Sequence, residues 1–277
     1  MKVILEPTVT VVGKSHFIEH PVYKIPVDGS DSTKLCAFAA KGCYDSFSAE
    51  GRSNVDNQLE ILNHKHGSVM EHFYVSFFIE GVTRALTLEL NRHRTLNISQ
   101  RSTRYTKEED SAIVLDPYYA SLFKKYDIVN VESDVWTPRE GSYYRLVEEE
   151  RAEAELVVHH LDEAESAISE YSKQVDVLMV LNPNKLSGFN LRKWARGKAR
   201  NLLPHALETR GTYTANLRAW RWIIEARSQK HAEPEIRRLA DKLVIELKNI
   251  APVHFDDFEI SEVYDGIPVW TPKYSKV

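Results

Sequence analysis

The densest group of chemically active side chains is the stretch RHRTLNISQRSTRY, residues 92–105. It places four arginines, a histidine and two serines within thirteen positions. Arginine is a permanently charged planar group that binds phosphate through two hydrogen bonds at once. Four such charges so close together repel one another unless an anion lies between them. The stretch therefore predicts a phosphate-rich ligand.

A second group of arginines follows later in the chain, at Arg192, Arg196, Arg200, Arg210, Arg218, Arg221 and Arg227. The acidic residues that balance them lie mainly in residues 148–165. The net charge of the 277-residue chain is only −4, so it lacks the overall positive field expected of a non-specific nucleic-acid-binding protein. Anion binding must therefore be local.

Several common catalytic patterns are missing from the sequence. No G-x-G-x-x-G turn or P-loop follows a strand-like segment. No histidines or cysteines have the spacing of a zinc site, because His159 and His160 are adjacent and would point to different faces of a helix. We therefore predict no metal site, and we expect a cofactor to supply the chemistry.

Cys36 and Cys43 are the only cysteines. On a helix they would be about 10 Å apart, too far for a disulfide, and neither adjoins the basic stretches. We interpret both as small buried residues of a protein in a reducing compartment. The sequence has no signal peptide and no apolar run of transmembrane length, so we expect a cytoplasmic enzyme without a membrane partner.

The elements that position these residues are predicted from hydrophobic periodicity and turn residues. Residues 3–13, VILEPTVTVVG, favour a strand because many are β-branched. The next predicted elements are a helix over Lys34–Tyr44, a helix over Asn57–Asn63 and a strand over Phe73–Ile79 that Gly81 ends.

The arginine-rich stretch should begin where a helix ends. Thr83–Arg92 has Leu86 and Leu90 spaced by four and predicts a helix. The RHR triplet would lie at its C-terminal end, where cations complement the helix dipole. Residues 95–105 are predicted to form a ligand-binding loop.

The middle of the chain has a weak pattern followed by a strong one. Residues 107–140 show no clear period, with Pro117, Pro138 and Gly141 as nearby breakers, and we interpret them as a candidate insertion in a single domain spanning 1–277. From about Tyr144 to Leu181 apolar residues recur at alternating steps of four and three. This helix would pack within its own subunit or form part of an oligomer interface, and the sequence favours neither.

The last third of the chain predicts a strand over Glu208–Ala215 and a helix over Leu217–Lys230 that Asn216 caps. Pro234 is predicted to open a final long helix from its first position. Strands and helices alternate here without a glycine-rich turn, which favours an α+β fold over a doubly wound one.

Four ordered motifs resemble those of the flavin-dependent thymidylate synthases. RHR with a serine eight positions after its last arginine resembles the family signature, and HGSVMEH at 66–72 resembles its upstream element. ARNLLP at 199–204 and the run from Asn216 to Arg227 resemble two later elements, while Pro252, Phe255 and Phe258 match the closing segment.

This resemblance implies reductive methylation of dUMP to dTMP. Methylenetetrahydrofolate would give the carbon, reduced FAD the hydride, and NADPH would reduce the flavin. It also implies the family's fold, which has a sheet with antiparallel strands and long flanking helices. The assembly would be a homotetramer whose active sites form where subunits meet.

The resemblance also assigns roles to individual residues. It implies FAD contacts from Ser68, Arg92, His93, Arg94, Gln100, Asn216, Leu217, Arg218 and Trp222. It implies dUMP contacts from Glu89, Leu90, Asn91, Arg92, Gln100, Arg101, Ser102, Thr103, Arg104, Arg200 and Arg227. Arg227 matches the key catalytic position, where a guanidinium beside the uracil edge would favour ionisation at N3 and raise electron density at C5.

Some positions depart from the family pattern. Gln100 stands where many members carry glutamate, and a carboxamide keeps the acceptor oxygen while adding a donor. Trp222 stands where a smaller polar residue is expected, and an indole could stack on the flavin ring.

Two alternatives stay open, of which the departures support only the first and the basic stretch the second. One is a flavin- or nucleotide-binding relative that has lost the synthase reaction. The other is a nucleic-acid-binding protein in which Tyr105 stacks on bases.

Overall fold

The computed structural model describes residues 1–131, 135–139 and 146–277. Gly141, which was predicted to break the chain's regular structure, and Tyr144, which was predicted to start a helix, lie outside the described residues. The helices are α1 Asp31–Cys43, α2 Asn54–Asn63, α3 Arg84–Leu90, α4 Pro117–Lys125, α5 Glu148–Leu181, α6 Gly188–Ala199, α7 Leu217–Arg227, α8 Pro234–Ile250 and α9 Pro252–Phe255. The strands are β1 Val3–Ile4, β2 Thr8–Lys14, β3 Tyr74–Thr83, β4 Asn97–Gln100, β5 Ile113–Val114, β6 Ile128–Val131, β7 Val135–Pro138, β8 Glu208–Asn216, β9 Phe258–Tyr264 and β10 Ile267–Pro272.

The chain forms two compact units that interleave along the sequence. The first consists of Met1–Pro7, Glu80–Leu88 and Gln100–Arg210, and the second of Thr8–Ile79, Glu89–Ser99 and Gly211–Val277. The candidate insertion falls within the first unit, where its described residues contain β5, α4, β6 and β7. The single domain and the insertion both stay predictions.

The core of the first unit is built around α5. The helix buries Val157, Leu161, Ala164, Ile168 and Tyr171, which are five of the seven apolar positions predicted to recur at steps of four and three; the last two, Val175 and Leu178, are half-buried. Its buried face packs with apolar residues of α4, β5 and β7, so this part of the pattern is explained by packing within the subunit. Near its end, Val180 and Leu181 are 86% and 66% exposed. An oligomer interface at that end stays a prediction.

The prediction that Gly81 ends its strand is wrong, because β3 continues to Thr83. The glycine has a φ of 70°, in the left-handed region that favours glycine. A Cβ at this position would lie 3.1 Å from the carbonyl oxygen of Glu6. Glycine is therefore used here for a close backbone approach within a strand.

The second unit contains β2 and most of β3, β8 and β4, which form a sheet in the order β2–β3–β8–β4. The predicted Asn216 cap is confirmed, because its Oδ1 accepts a hydrogen bond from the Ala219 backbone nitrogen at 2.8 Å. Pro234 opens α8 from its first turn, as predicted. The indole of Trp220 on α7 is fully buried and donates to the Val75 carbonyl at 3.1 Å.

Helices combine with the antiparallel pairs β6–β7 and β9–β10, which agrees with the predicted α+β class. Three local predictions need correction. The predicted loop 95–105 contains the short strand β4, the helix before the RHR triplet already ends at Leu90, and Cys43 is exposed although Cys36 is buried. Cys43 is the last residue of α1, so the helix leaves its side chain at the surface.

Candidate active site

Arg227 is the last residue of α7 and lies in the second unit. Its Nη1 donates to Glu89 Oε2 at 2.8 Å, and its Nη2 donates to the Glu89 carbonyl at 3.2 Å. Its Nε donates to His93 Nε2 at 2.9 Å. Arg227 is thus joined by direct hydrogen bonds to the histidine of the RHR triplet and to Glu89, a predicted nucleotide contact four residues before that histidine. These bonds hold the guanidinium in a fixed orientation, and the Arg227 side chain remains 22% exposed.

His93 must be uncharged to make this contact, because its Nε2 accepts the Arg227 hydrogen and its proton is then on Nδ1. Burial, followed by the charge of Arg227, lowers the pKa of His93 from 6.5 to about 4. The unfolded chain takes up this proton near pH 6.5 and the folded chain only near pH 4. His93 therefore lowers the free energy of unfolding as the pH falls through that interval.

We expect NMR of the histidine ring signals to show His93 titrating near pH 4. In Arg227→Ala the pKa of His93 should rise but stay below 6.5, because the positive neighbour is gone and the burial remains. Arg52→Ala, which removes an exposed arginine of the same unit, should leave it unchanged. A His93 signal that titrates near 6.5 in the unmutated protein would contradict the arrangement. The ring signal that disappears in His93→Gln is the one that belongs to His93.

The RHR triplet lies in a turn directly after α3. Leu90 and Leu96 are buried on either side of it, and the His93 backbone nitrogen donates to the Leu90 carbonyl at 3.1 Å. Arg92 and Arg94 are exposed, and among the described residues neither forms an ion pair. The turn therefore presents two unpaired cations beside the inward-facing His93.

The other end of α7 borders a cavity of about 420 Å³ in the second unit. Asn216, Arg218 and Trp222, all predicted to contact FAD, are among its lining residues. The Trp222 side chain is 53% exposed there. Arg218 donates to Glu71 Oε1 at 2.6 Å. Since both side chains of this ion pair are largely exposed, the pair is worth under about 1 kcal/mol and a phosphate can compete for the arginine.

Ser68 and Leu217, which are also predicted to contact the flavin, are not among the residues that line this cavity. Ser68 is exposed on a 3₁₀ helix, Gly67–His72, and the adjacent Gly67 packs close to the Arg218 side chain. Leu217 is fully buried, and its backbone nitrogen donates to the Phe73 carbonyl at 3.0 Å. Leu217 thus fixes the start of α7 from the core, and its side chain does not line the cavity.

The predicted nucleotide residues from Gln100 to Arg200 lie in the first unit. Arg101 is held by two carboxylates: Nη2 is 2.8 Å from Glu108 Oε2, and Nη1 is 3.2 Å from Glu208 Oε2. The Arg101 side chain is 17% exposed, and the Glu108 side chain only 1%. The contacts of Arg101 are therefore internal, which fits a structural role better than the predicted contact with dUMP.

The residues beside Arg101 form a tight turn. Gln100 Nε2 donates to the hydroxyls of Thr87 and Thr209 at 3.2 Å. Ser102 accepts a hydrogen bond from the Tyr105 backbone nitrogen through its carbonyl, and Thr103 is buried. An amide donor suits Gln100 here, because a glutamate in its place could not donate to either threonine.

Arg104 and Arg200 are exposed cations of the first unit. A Cβ on Gly197 of α6 would lie 3.6 Å from the Nε of Arg104. The Arg104 side chain therefore packs against α6, less than one turn before Arg200. Arg196 of the same helix donates to the Tyr105 carbonyl at 2.7 Å and holds the turn in place. The Tyr105 ring, which a nucleic-acid-binding protein would use to stack on a base, is itself stacked on Phe189 at 5.9 Å.

Several residues of these groups were not predicted from the sequence. Glu71 belongs to the quoted HGSVMEH motif, which was the signal for it, yet it was not assigned a role. Thr95, Lys276 and Val277 also line the 420 Å³ cavity, and nothing local in the sequence indicated this. Glu108, which anchors the turn after Arg101, carried no recognisable spacing either, and Arg196, which holds the same turn, was named only as one of the second group of arginines.

Within the ranges that the structure describes, no group of three or more histidine, cysteine or carboxylate side chains could hold a metal ion. Nor does any helix there have the length and hydropathy needed to cross a bilayer.

Comparison with known proteins gives a family for this arrangement. Residues 27–253 match the family model described as thymidylate synthase complementing protein. A flavin-dependent thymidylate synthase from Mycobacterium tuberculosis is 33% identical over 266 residues, covering 95% of this chain and 94% of that protein. The protein of the same name from Mycobacterium sp. strain KMS is 35% identical, with 95% and 94% covered.

Two solved structures share the fold. The UMP/dUMP methylase PolB from Streptomyces cacaoi, bound with 5-Br dUMP, has a TM-score of 0.62 and 21% identity, covering 92% of this chain and 96% of that one. Thymidylate synthase X from Helicobacter pylori, with FAD and dUMP, has a TM-score of 0.54 and 20% identity, covering 91% and 98%. With the family model matching most of the sequence and named relatives matching nearly all of it, the chain belongs to the flavin-dependent thymidylate synthase family.

Proposed function

We propose that this flavin-dependent thymidylate synthase converts dUMP to dTMP with 5,10-methylenetetrahydrofolate as carbon donor, FAD as hydride carrier and NADPH as reductant. One observation carries the proposal, the hydrogen-bonded group formed by Arg227, Glu89 and His93. It unites the predicted catalytic residue with the RHR triplet and with a predicted nucleotide contact.

The cavity at the start of α7 supports FAD as the cofactor. It combines cationic Arg218 with the half-exposed flat indole of Trp222, so it offers both a phosphate ligand and a stacking surface. The volume of about 420 Å³ lies within the range of ligand pockets. Asn216, Arg218 and Trp222 would hold the cofactor there, with the exposed Arg92 and Arg94 of the RHR triplet as further cations.

The proposed phosphate ligands for dUMP are Arg104 and Arg200. Both are exposed, and in the described part of the chain neither forms an ion pair, so each can bind a dianion without first losing a partner. Arg101 would act indirectly by fixing the turn that carries Ser102 and Arg104.

The proposed chemistry divides between cofactor and protein. When bound, reduced FAD supplies the hydride. Arg227 would stabilise the anion that forms on N3 of uracil, which makes C5 more nucleophilic toward the one-carbon unit. Glu89 and neutral His93 keep the guanidinium oriented, so little reorganisation is needed when that charge develops.

A cysteine nucleophile is not part of the proposal. Burial raises the pKa of the Cys36 thiol to about 12, so the reactive thiolate is unavailable. Cys43 is exposed, but its Sγ donates to the Ala39 carbonyl of its own helix, and it does not line the flavin cavity. The proposed assembly is a homotetramer with shared active sites, and the proposed location is the cytoplasm.

The test is a dTMP assay with dUMP, methylenetetrahydrofolate and NADPH, using protein stripped of flavin. We expect dTMP only when FAD is added back, together with flavin-dependent release of the C5 proton. Formation of dTMP without flavin would contradict the proposal. If the protein binds flavin yet forms no dTMP and releases no C5 proton, it is instead a relative that has lost the reaction.

A further inference from the structure

The segment Lys273–Val277 lies along one face of α7. Arg218, Arg221 and Glu225 of this helix are spaced by three and four residues and therefore share a face. Each of them contacts a different part of the segment, and all these residues belong to the second unit. The segment is thus fixed at three successive points along the helix.

The first point is a buried ion pair. Arg221 contacts both carboxylate oxygens of Asp257, at 2.6 and 2.9 Å, and donates to the Tyr274 carbonyl at 2.8 Å. Asp257 in turn accepts from the Tyr274 backbone nitrogen at 3.1 Å. At the second point the Glu225 carboxylate accepts from the Ser275 hydroxyl and, at 3.1 Å, from the Lys276 backbone nitrogen.

The third point adjoins the flavin cavity. Arg218 Nε donates to the Val277 carbonyl at 3.3 Å. A Cβ on Gly67 would lie 2.7 Å from the Val277 carbonyl carbon, closer than real Cβ atoms come to another heavy atom, and 3.1 Å from Arg218 Nε, which is tight. Glycine at position 67 therefore allows the segment to seat against the turn that carries Ser68.

This seating makes Lys276 and Val277 part of the cavity wall, together with Asn216, Arg218 and Trp222. The Lys276 side chain is exposed, and among the described residues it forms no ion pair. Its backbone has a φ of 57°, a left-handed conformation that the Glu225 contact to its nitrogen helps to hold.

A diphosphate ligand in this cavity would need a second cation besides Arg218. Glu71 is paired with Arg218 and offsets its charge, so an anionic ligand with two phosphate groups would not be balanced by Arg218 alone. Lys276 is the other cation among the lining residues.

We propose that Lys276 and Val277, held in place by the contacts of their segment with α7, form a wall of the flavin site and that Lys276 is a cofactor-binding residue that contacts the diphosphate. This inference rests on the proposed use of FAD. It assigns a role to a segment outside the motifs on which the family resemblance depends.

The test is the Kd for FAD, measured by flavin fluorescence on protein stripped of flavin. Lys276→Ala is expected to raise the Kd about 5- to 20-fold, because a charge-assisted hydrogen bond is lost. Lys273→Ala is the matched control: Lys273 is exposed in the same segment and contacts the Tyr274 ring, but it does not line the cavity. It should change the Kd less than twofold. Lys276→Arg should restore most of the affinity.

Glu225→Ala tests the seating of the segment without changing either cation. It should raise the Kd in the same way, whereas Glu225→Gln, which keeps an acceptor, should raise it less. Circular dichroism checks that each variant is folded. If unmutated protein binds FAD but Lys276→Ala and Lys273→Ala bind it equally well, the role of Lys276 is refuted while the proposed function stands. If the unmutated protein binds no FAD, both proposals fail.

Discussion

Replacing Arg227 with alanine is expected to reduce dTMP formation by at least about 100-fold while FAD stays bound. Removal of a single preorganised donor that stabilises a developing anion costs about 100- to 1000-fold in rate. The cavity proposed to hold FAD does not include Arg227 among its lining residues, so the affinity of the variant for FAD should change little. The measurements are single-turnover dTMP formation and the flavin absorbance of the purified variant.

Two matched variants separate the role of Arg227 from a general effect of losing an arginine. Arg227→Lys keeps the charge but not the fork that reaches Glu89 and His93 together, so it should recover only part of the rate. Arg52→Ala removes an exposed arginine of the same unit and should keep normal turnover. Near-normal turnover in Arg227→Ala would refute the assignment. Loss of flavin together with turnover would mean that Arg227 acts by holding the cofactor.

The elements with local signals were predictable from the sequence. The cap at Asn216, the proline at the start of α8 and the heptad face of α5 each depend on residues within a few turns of one another. Local spacing determines such features because caps and buried stripes are properties of a single helix. The strand through Gly81 shows the limit, since the reason for that glycine is the backbone of Glu6.

The site was predictable only as a set of residue types. The resemblance pointed to Arg227, Glu89 and His93, but not to the hydrogen bonds that fix the guanidinium, because these span more than 130 residues. The position of Lys276 in the cavity wall was unpredictable for the same reason, since it depends on a segment that lies far from Gly67 in sequence and folds back onto it. Long-range contacts of this kind leave no periodic signal.

Arg101 makes internal contacts that the resemblance did not imply, and its predicted contact with dUMP stays a prediction. Its guanidinium bridges Glu108 and Glu208, and Ser111 Oγ accepts a further hydrogen bond at 3.1 Å. Glu108 lies seven residues away and Glu208 more than one hundred, so the sequence did not reveal the pair. The neighbouring Arg104, exposed and without an ion pair in the described residues, is the better candidate for a phosphate ligand.

Arg101→Met is therefore expected to destabilise the fold by about 3 to 5 kcal/mol, because it leaves two buried carboxylates without their partner. For a chain of this size the loss corresponds to a fall in Tm of roughly 6 to 20 °C. Thermal unfolding followed by circular dichroism measures it. Arg52→Ala is the control, because its ion pair with Glu60 is exposed and should contribute less than about 1 kcal/mol.

A second substitution distinguishes this structural role from a direct contact with dUMP. Adding Glu108→Gln to Arg101→Met removes one of the stranded charges, so it should recover part of the lost stability. A ligand contact would behave differently: the KM for dUMP would rise, the Tm would stay near its original value, and the added substitution would restore nothing. Recovery of Tm in the double variant would show that Arg101 mainly balances buried carboxylates, with Arg104 and Arg200 left to bind phosphate.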